Sequence, residues 1–284
     1  MNDAPALKQA EVGVAVSNAT DVAKGAASCV LTVEGLSAMI PLVQVGRQIH
    51  QRIVTWILNK IAKTLQQGVF IIVMYLIQGE FIIDDGKLLL LLFLIDFVTV
   101  SLSTDNVKWS KKPSKWNIKK LCIIGATVGV LVTAQSFGIL YLMQNHLLPP
   151  GPMSERSLEK VKTFTFNVLF FEGMSTIISV RQESWFFKSF PSITLFASFI
   201  LDAAVVILLS VLGYYSLDPS GNPSGFSVFI YPIPITWVLL TIGWALVWTC
   251  AVNDPIKILL YKILNRYMDD GKASSALKRV KTKE

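Results

Sequence analysis

The sequence predicts a mainly α-helical membrane protein, a bundle of six transmembrane helices preceded by a short α/β segment. Three observations carry this. Of 284 residues, 52% are hydrophobic and only 16% charged, with a mean hydropathy of +0.54; a soluble interior of this size could not hide so much apolar surface. Apolar stretches recur at about 53–78, 88–105, 121–143, 162–180, 191–215 and 231–252, and all but the second reach or approach the roughly 20 residues that cross about 30 Å of hydrocarbon. Basic residues, finally, gather in some loops and avoid others.

The chain begins differently. Glu11 to Val16 and Ser28 to Thr32 read as short strands rich in β-branched residues, separated by polar turns and the small-residue stretch Asp21 to Ala27. Two strands and about one helix, residues 1–34, cannot bury a core alone. From Gly35, Leu36, Ile40, Val43, Ile49 and Ile53 recur at helical spacing, with Gln44, Arg47, Gln48 and Gln51 between them. Residues 35–52 therefore read as a stalk helix entering the first span. The membrane domain then occupies 53–264, its last helix extended amphipathically through Lys257 and Lys262, and a basic tail fills 265–284. The first fifty residues lack the basic start and apolar core of a signal peptide.

The net charge of +7 is distributed for a bilayer, not for nucleic acid. Lys108, Lys111, Lys112, Lys115, Lys119 and Lys120 separate spans two and three, and eight Lys and Arg residues follow the last span, whereas 216–230 has none and 79–87 only Lys87. Both termini and the 104–120 loop are expected in the cytoplasm, of a plasma or bacterial inner membrane. Trp109 and Trp116 read as interfacial anchors around a hairpin at 113–117. The Pro/Gly-rich stretches 148–154 and 218–227 read as exterior turns. Cys29, Cys122 and Cys250 are too dispersed for a disulfide framework or metal cluster and are expected as buried small hydrophobes.

Charged residues inside spans are the functional candidates, because even low estimates put a central carboxylate at roughly 2.5–3.5 kcal/mol. Asp96 interrupts Leu88 to Leu102, Glu172 the fourth span and Asp202 the fifth. Lys60 and Lys63 share a helical face, and Lys60, Thr64 and Gln67 make a polar stripe. Either lysine could neutralise Asp96 from within the bundle or snorkel to the interface. Glu172 and Asp202 could equally be structural hydrogen-bonding groups.

Met1 to Thr32, Gly46 to Trp56, the segment ending Leu94 to Val107, and Phe190 to Ser192 resemble P-type cation-transporting ATPases, most of all the plasma-membrane proton-pump branch and its prokaryotic relatives. The resemblance implies that the six spans match the family's fifth to tenth membrane helices and that residues 1–34 correspond to the end of a haloacid-dehalogenase-like phosphorylation domain. It maps Asn2 and Asp3 onto the second half of that domain's hinge motif, Asn2 contacting phosphoryl and Asp3 supporting the magnesium site. It makes Asp96 the central proton acceptor and donor, and sets Gln66 where plant and fungal pumps carry an arginine and Ile95 where they carry an asparagine. ATP and magnesium are the full-length family's cofactors. The phosphorylated aspartate, the nucleotide-binding domain and the first four membrane helices have no counterpart in this sequence. The expectation is a C-terminal fragment contributing ion-binding helices for a proton or other small cation, inactive in ATP hydrolysis alone, its Met1 an internal codon of a longer reading frame. The alternatives are a non-enzymatic membrane partner or one half of a split pump, completed by a separate N-terminal half.

Overall fold

The computed structural model describes residues 3–33, 35–108, 116–147, 155–217 and 226–266. Met1, Asn2, the lysine-rich stretch 109–115 with Trp109, the turns at 148–154 and 218–225, and the basic tail from 267 onward lie outside the described residues. Two compact units emerge: Met1–Gln51 with Lys108–Ser114, and Arg52–Val107 with Lys115–Glu284.

The first unit is a small βαβ arrangement behind a short helix. Helix α1, Ala4–Gln9, starts with a proline in its first turn, where the missing N–H costs nothing. Gly13 lies so close to the Leu7 carbonyl that a Cβ there would collide with it. Strand β1, Val14–Ala15, pairs in parallel with β2, Cys29–Val30, and α2, Asp21–Ala26, crosses between them. The Thr20 hydroxyl accepts from Ala23 N–H at 3.4 Å to cap α2. Among the described residues of this unit only Gly13, Ala15 and Leu31 are buried, while Val12, Val22, Val30 and Val33 stay exposed.

Among the described residues, six helices long and apolar enough to cross a membrane follow, matching the predicted number. Helix α3 runs unbroken over Met39–Gln78, so the predicted stalk and first span are one element. Helix α4, Asp85–Ser101, ends in a 3-10 turn at Leu102–Thr104. Helix α5, Ile118–Leu142, continues as a π-helical turn at Met143–Leu147, and α6 spans Glu155–Val180. Helix α7, Ile193–Leu212, stops short of the expected residue 215 because Gly213 turns with φ of 77° and a Cβ there would meet Pro232 at 3.0 Å. The segment expected as a plain loop instead contains an antiparallel pair, β3 at Tyr214–Leu217 and β4 at Phe226–Ile230. Helix α8, Ile235–Trp248, passes through a π-helical turn, Thr249–Asn253, and resumes over 254–266. Pro255 accounts for that turn: it has no N–H for the Ala251 carbonyl, and its ring would strike that carbonyl in a regular α-helix.

Helix α6 is the axis of the bundle. Ninety-four per cent of its most apolar stretch is buried in protein, against 22–56% for the other five, so those five present one side to lipid. Lipid is as apolar as leucine, so close packing rather than hydrophobic expulsion holds such helices together. Gly125 and Gly129 on α5 supply it: a Cβ at Gly129 would sit 3.0 Å from the Ala62 carbonyl oxygen, and one at Gly125 2.9 Å from Ile61. Phe70 and Phe137 pack at 5.0 Å between ring centres. Cys122 and Cys250 are exposed rather than buried, because each sits on the outward side of its helix, and all three cysteines are free.

Ion pairs fasten both ends of the bundle. At one end Lys87, expected in a loop, is fully buried in the first turn of α4 and donates to Asp84 (2.7 Å) and Glu159 (3.0 Å), while Lys162 pairs with the same two carboxylates at 2.8 and 2.9 Å. Burial alone would raise the Asp84 pKa, but the Lys162 and Lys87 ammoniums outweigh it and hold the carboxyl below its ordinary range. At the other end Arg181 grips Asp105 bidentately at 2.6 and 2.9 Å, both side chains 1% exposed. Asp105 also accepts from Ser192 N–H at the start of α7, and its carbonyl accepts from Arg52 of α3. The ends of α4, α6 and α7 thus meet at one carboxylate, and α3 is tied to the same residue through its backbone carbonyl. Sequence reading did not single out Asp105 or Arg181.

Candidate ion-binding site

Midway along the bundle, α3, α5 and α6 bring together a polar cluster that lipid cannot reach. Asn59, Lys63 and Gln66 lie on the buried face of α3 at i, i+4 and i+7. Glu172 projects from α6 and Ser136 from α5; Glu172 and Gln66 are each 1% exposed, Ser136 and Asn59 0%, and Lys63 5%. The Gln66 side-chain amide donates to Glu172 Oε2 at 2.7 Å and to Ser136 Oγ at 2.9 Å, and Ser136 Oγ donates to Glu172 Oε2. One carboxylate oxygen is therefore held by two donors from two helices.

The rest of the cluster is unsatisfied. Glu172 Oε1, Gln66 Oε1, Lys63 Nζ and both amide atoms of Asn59 are buried with no hydrogen-bond partner among the described residues. Native interiors rarely leave such groups unpaired, and when they do a ligand or a functional role is the usual reason. Lys63 reaches the site only because residue 173 is glycine: a Cβ there would occupy the position of the lysine ammonium. Two free oxygens in a cluster that also holds Lys63 can accept a proton or coordinate one small cation, and a charged Lys63 opposes a second.

Asp96 does not join this cluster. Its side chain is 57% exposed, and its partner is Lys60, itself 40% exposed. Of the two lysines that sequence reasoning offers as partners of Asp96, Lys60 takes that place while Lys63 turns to Gly173, and Asp96 lies on an exposed side of α4 rather than inside the bundle of described residues. The cause is rotation along α4. Leu91, Leu94, Ile95 and Val98 point inward, while Phe93, Asp96, Phe97 and Val100 lie on a face that the described residues leave uncovered. Lys60 is accordingly an ion-pair partner and not a snorkelling residue. Asp202 is buried on α7 with Oδ2 unpaired, and no hydrogen bond or ion pair among the described residues links it to Glu172.

Ser136 and Gly173 were missed. The Glu172-Gly173 dipeptide was a usable signal, since glycine beside a buried acid makes room for a long side chain. Ser136 carried none beyond being a hydroxyl in an apolar run.

Asp3 is exposed at the start of α1 and makes no side-chain cap bond. Among the described residues no group of three His, Cys, Asp or Glu side chains could hold a metal ion. The residues described here do not by themselves fit a magnesium site.

No family model matches the chain. It is 31% identical over 268 residues to a cation-transporting ATPase of Methanocaldococcus jannaschii, a match covering 93% of this chain and 30% of that protein. It is 27% identical to the plasma membrane ATPase of Kluyveromyces lactis and 28% identical to plasma membrane ATPase 1 of Saccharomyces cerevisiae, each over 84% of this chain and 26% of the relative. The chain thus spans less than a third of the length of these relatives.

Proposed function

We infer that this chain, a homologue of the C-terminal portion of P-type cation-transporting ATPases, supplies the ion-binding membrane helices of such a pump, with Glu172 as a proton-carrying group and Asp96 as its counterpart on the uncovered face. One observation carries the reading: Glu172 is sealed in the bundle with one oxygen fully held and the other free. A carboxyl so placed can take up a proton in one conformation and release it in another when a neighbouring charge moves. Lys63 is that charge, and its fixed ammonium favours a proton over a metal cation, which would bring uncompensated positive charge into low dielectric.

In this reading the Asp105 end faces the cytoplasm of the plasma membrane, in keeping with the lysines that follow it, and the Asp84 end faces outside. The exposed Lys60–Asp96 pair supports further helices covering that face, since a charged pair left against lipid is costly. ATP and magnesium belong to the full-length pump. The chain alone is inactive in ATP hydrolysis because nothing in it resembles the phosphorylated aspartate.

The test is ATP-driven proton uptake into vesicles by a pump assembled from this chain and the N-terminal part of the archaeal relative. Glu172→Gln and Asp96→Asn should each abolish uptake, and Lys63→Met should shift its pH profile. Unchanged uptake in Glu172→Gln would leave Glu172 a structural group; no uptake by the assembly with the unsubstituted chain would favour a non-enzymatic membrane partner.

A further inference from the structure

The polar interior does not end at Glu172. On the same side of α6 follow Ser175, Thr176 and Ser179, at spacings that keep them on one helical face, and none is more than 4% exposed. About 10 Å along the axis from Glu172, Ser179 donates to Asp254, which also accepts from Lys257 at 2.9 Å. Lys257 donates as well to the carbonyls of Ser179 and Ser184. Asp254 and Lys257 are 0% and 1% exposed. A buried ion pair therefore closes this polar strip at the Asp105 end.

Facing the strip, the π-helical turn Thr249–Asn253 packs against α5 and α6. Its widened backbone turns both Thr249 and Asn253 inward, 3% and 0% exposed, yet the Thr249 hydroxyl and both amide atoms of Asn253 have no hydrogen-bond partner among the described residues. Gln135, next to Ser136 on α5, is likewise fully buried with both amide atoms unpaired. Such π turns are usually retained at functional positions. Here the turn converts the seam between three helices from apolar to polar.

We propose that this seam, bounded by Gln135, Thr249, Asn253 and Ser179, is a second site: a hydrated passage that carries water and protons between Glu172 and the Asp254–Lys257 pair. Water fits what the seam offers. Amide N–H, amide oxygen and hydroxyl groups of both hydrogen-bonding senses lie along it, and a bridging water satisfies two to four of them at once. The Asp254–Lys257 pair marks its entrance on the Asp105 side. The proposal rests on the reading of Glu172 as the proton-carrying group and supplies the access that a sealed carboxyl requires.

The experiment uses the full chain in liposomes, with Cys29, Cys122 and Cys250 replaced by serine. Thr249→Cys, Asn253→Cys and, as an outward-facing control, Val247→Cys are treated with 2-aminoethyl methanethiosulfonate from each side. Cysteines at 249 and 253 should react at least about tenfold faster than at 247, because a water-facing thiol ionises and a lipid-facing one does not, and only from the side of the Asp105 end. Rates no faster than the control would overturn the passage. The unsubstituted chain gives a second reading by hydrogen exchange: backbone amides of 250–254 should exchange about tenfold faster than those of 241–246 in the same helix, and equal protection would refute hydration. If transport survives Glu172→Gln while labelling at 249 and 253 persists, the ion-site assignment fails and the passage stands.

Discussion

Lys60 and Lys63 leave one helix three residues apart, but their surroundings are built differently: Lys60 pairs with an acid and Lys63 ends buried without a hydrogen-bond partner among the described residues. Lys63 is drawn inward past Gly173 toward Glu172, whose second oxygen is gripped by Gln66 and Ser136. Lys60 reaches sideways to Asp96 on a face of α4 flanked by exposed Phe93, Phe97 and Val100. The inner set has a scaffold of three helices; the outer pair has only itself. A buried charge is tolerable when several helices share its neutralisation, whereas the outer pair has no such support among the described residues.

The contrast can be broken most forcefully from the inside. Glu172→Leu removes the buried carboxylate oxygen to which Gln66 and Ser136 both donate, so the purified chain should lose about 3–5 kcal/mol against denaturant. A smaller loss, about 1–3 kcal/mol, is expected for Gly173→Ala, whose methyl occupies the ammonium's position; Lys63→Met in the same background should recover most of it. Ser136→Ala removes a donor to Glu172 and an acceptor for Gln66, for about 1–2 kcal/mol. On the outer face, Lys60→Met combined with Asp96→Leu should leave the chain within about 1 kcal/mol of the starting stability, or raise it, because no scaffold is lost. An outer loss as large as the inner one would erase the distinction.

The smallest effect concerns the Asp84 end. The Asp84 carboxyl is held below its ordinary range, so the stability it contributes is present above the unfolded value near 3.9 and is lost as pH falls through the lower folded value. Thermal midpoints should therefore drop below about pH 4, and Asp84→Asn should flatten that drop. An unchanged pH dependence in the variant would assign it to other carboxylates.

What was legible in the sequence follows from what composition and periodicity encode. Runs such as 121–143 declare a span by length alone, and Glu172 and Asp202 declare themselves by interrupting one. The direction in which Asp96 points could not be read, because α4 is apolar on nearly every side and offers no stripe to orient it. Cross-helix partners were equally hidden. Arg181 and Asp105 are 76 residues apart, and only packing around α6 brings them together. Local pairs were within reach: Asp84 with Lys87 and Asp254 with Lys257 stand at i, i+3, a spacing that marks partners once the segment is known to be helical.

The most direct test of an enclosed inner site beside an open outer face places a fluorescent label at Asp96→Cys or at Ser175→Cys, in this chain with its three native cysteines replaced, and measures quenching by brominated lipid. The label at 96 should be strongly quenched in this chain and protected once the N-terminal part of the archaeal relative is assembled with it, whereas the label at 175 should be protected in both. Protection at 96 in the chain alone, or strong quenching at 175, would contradict the account.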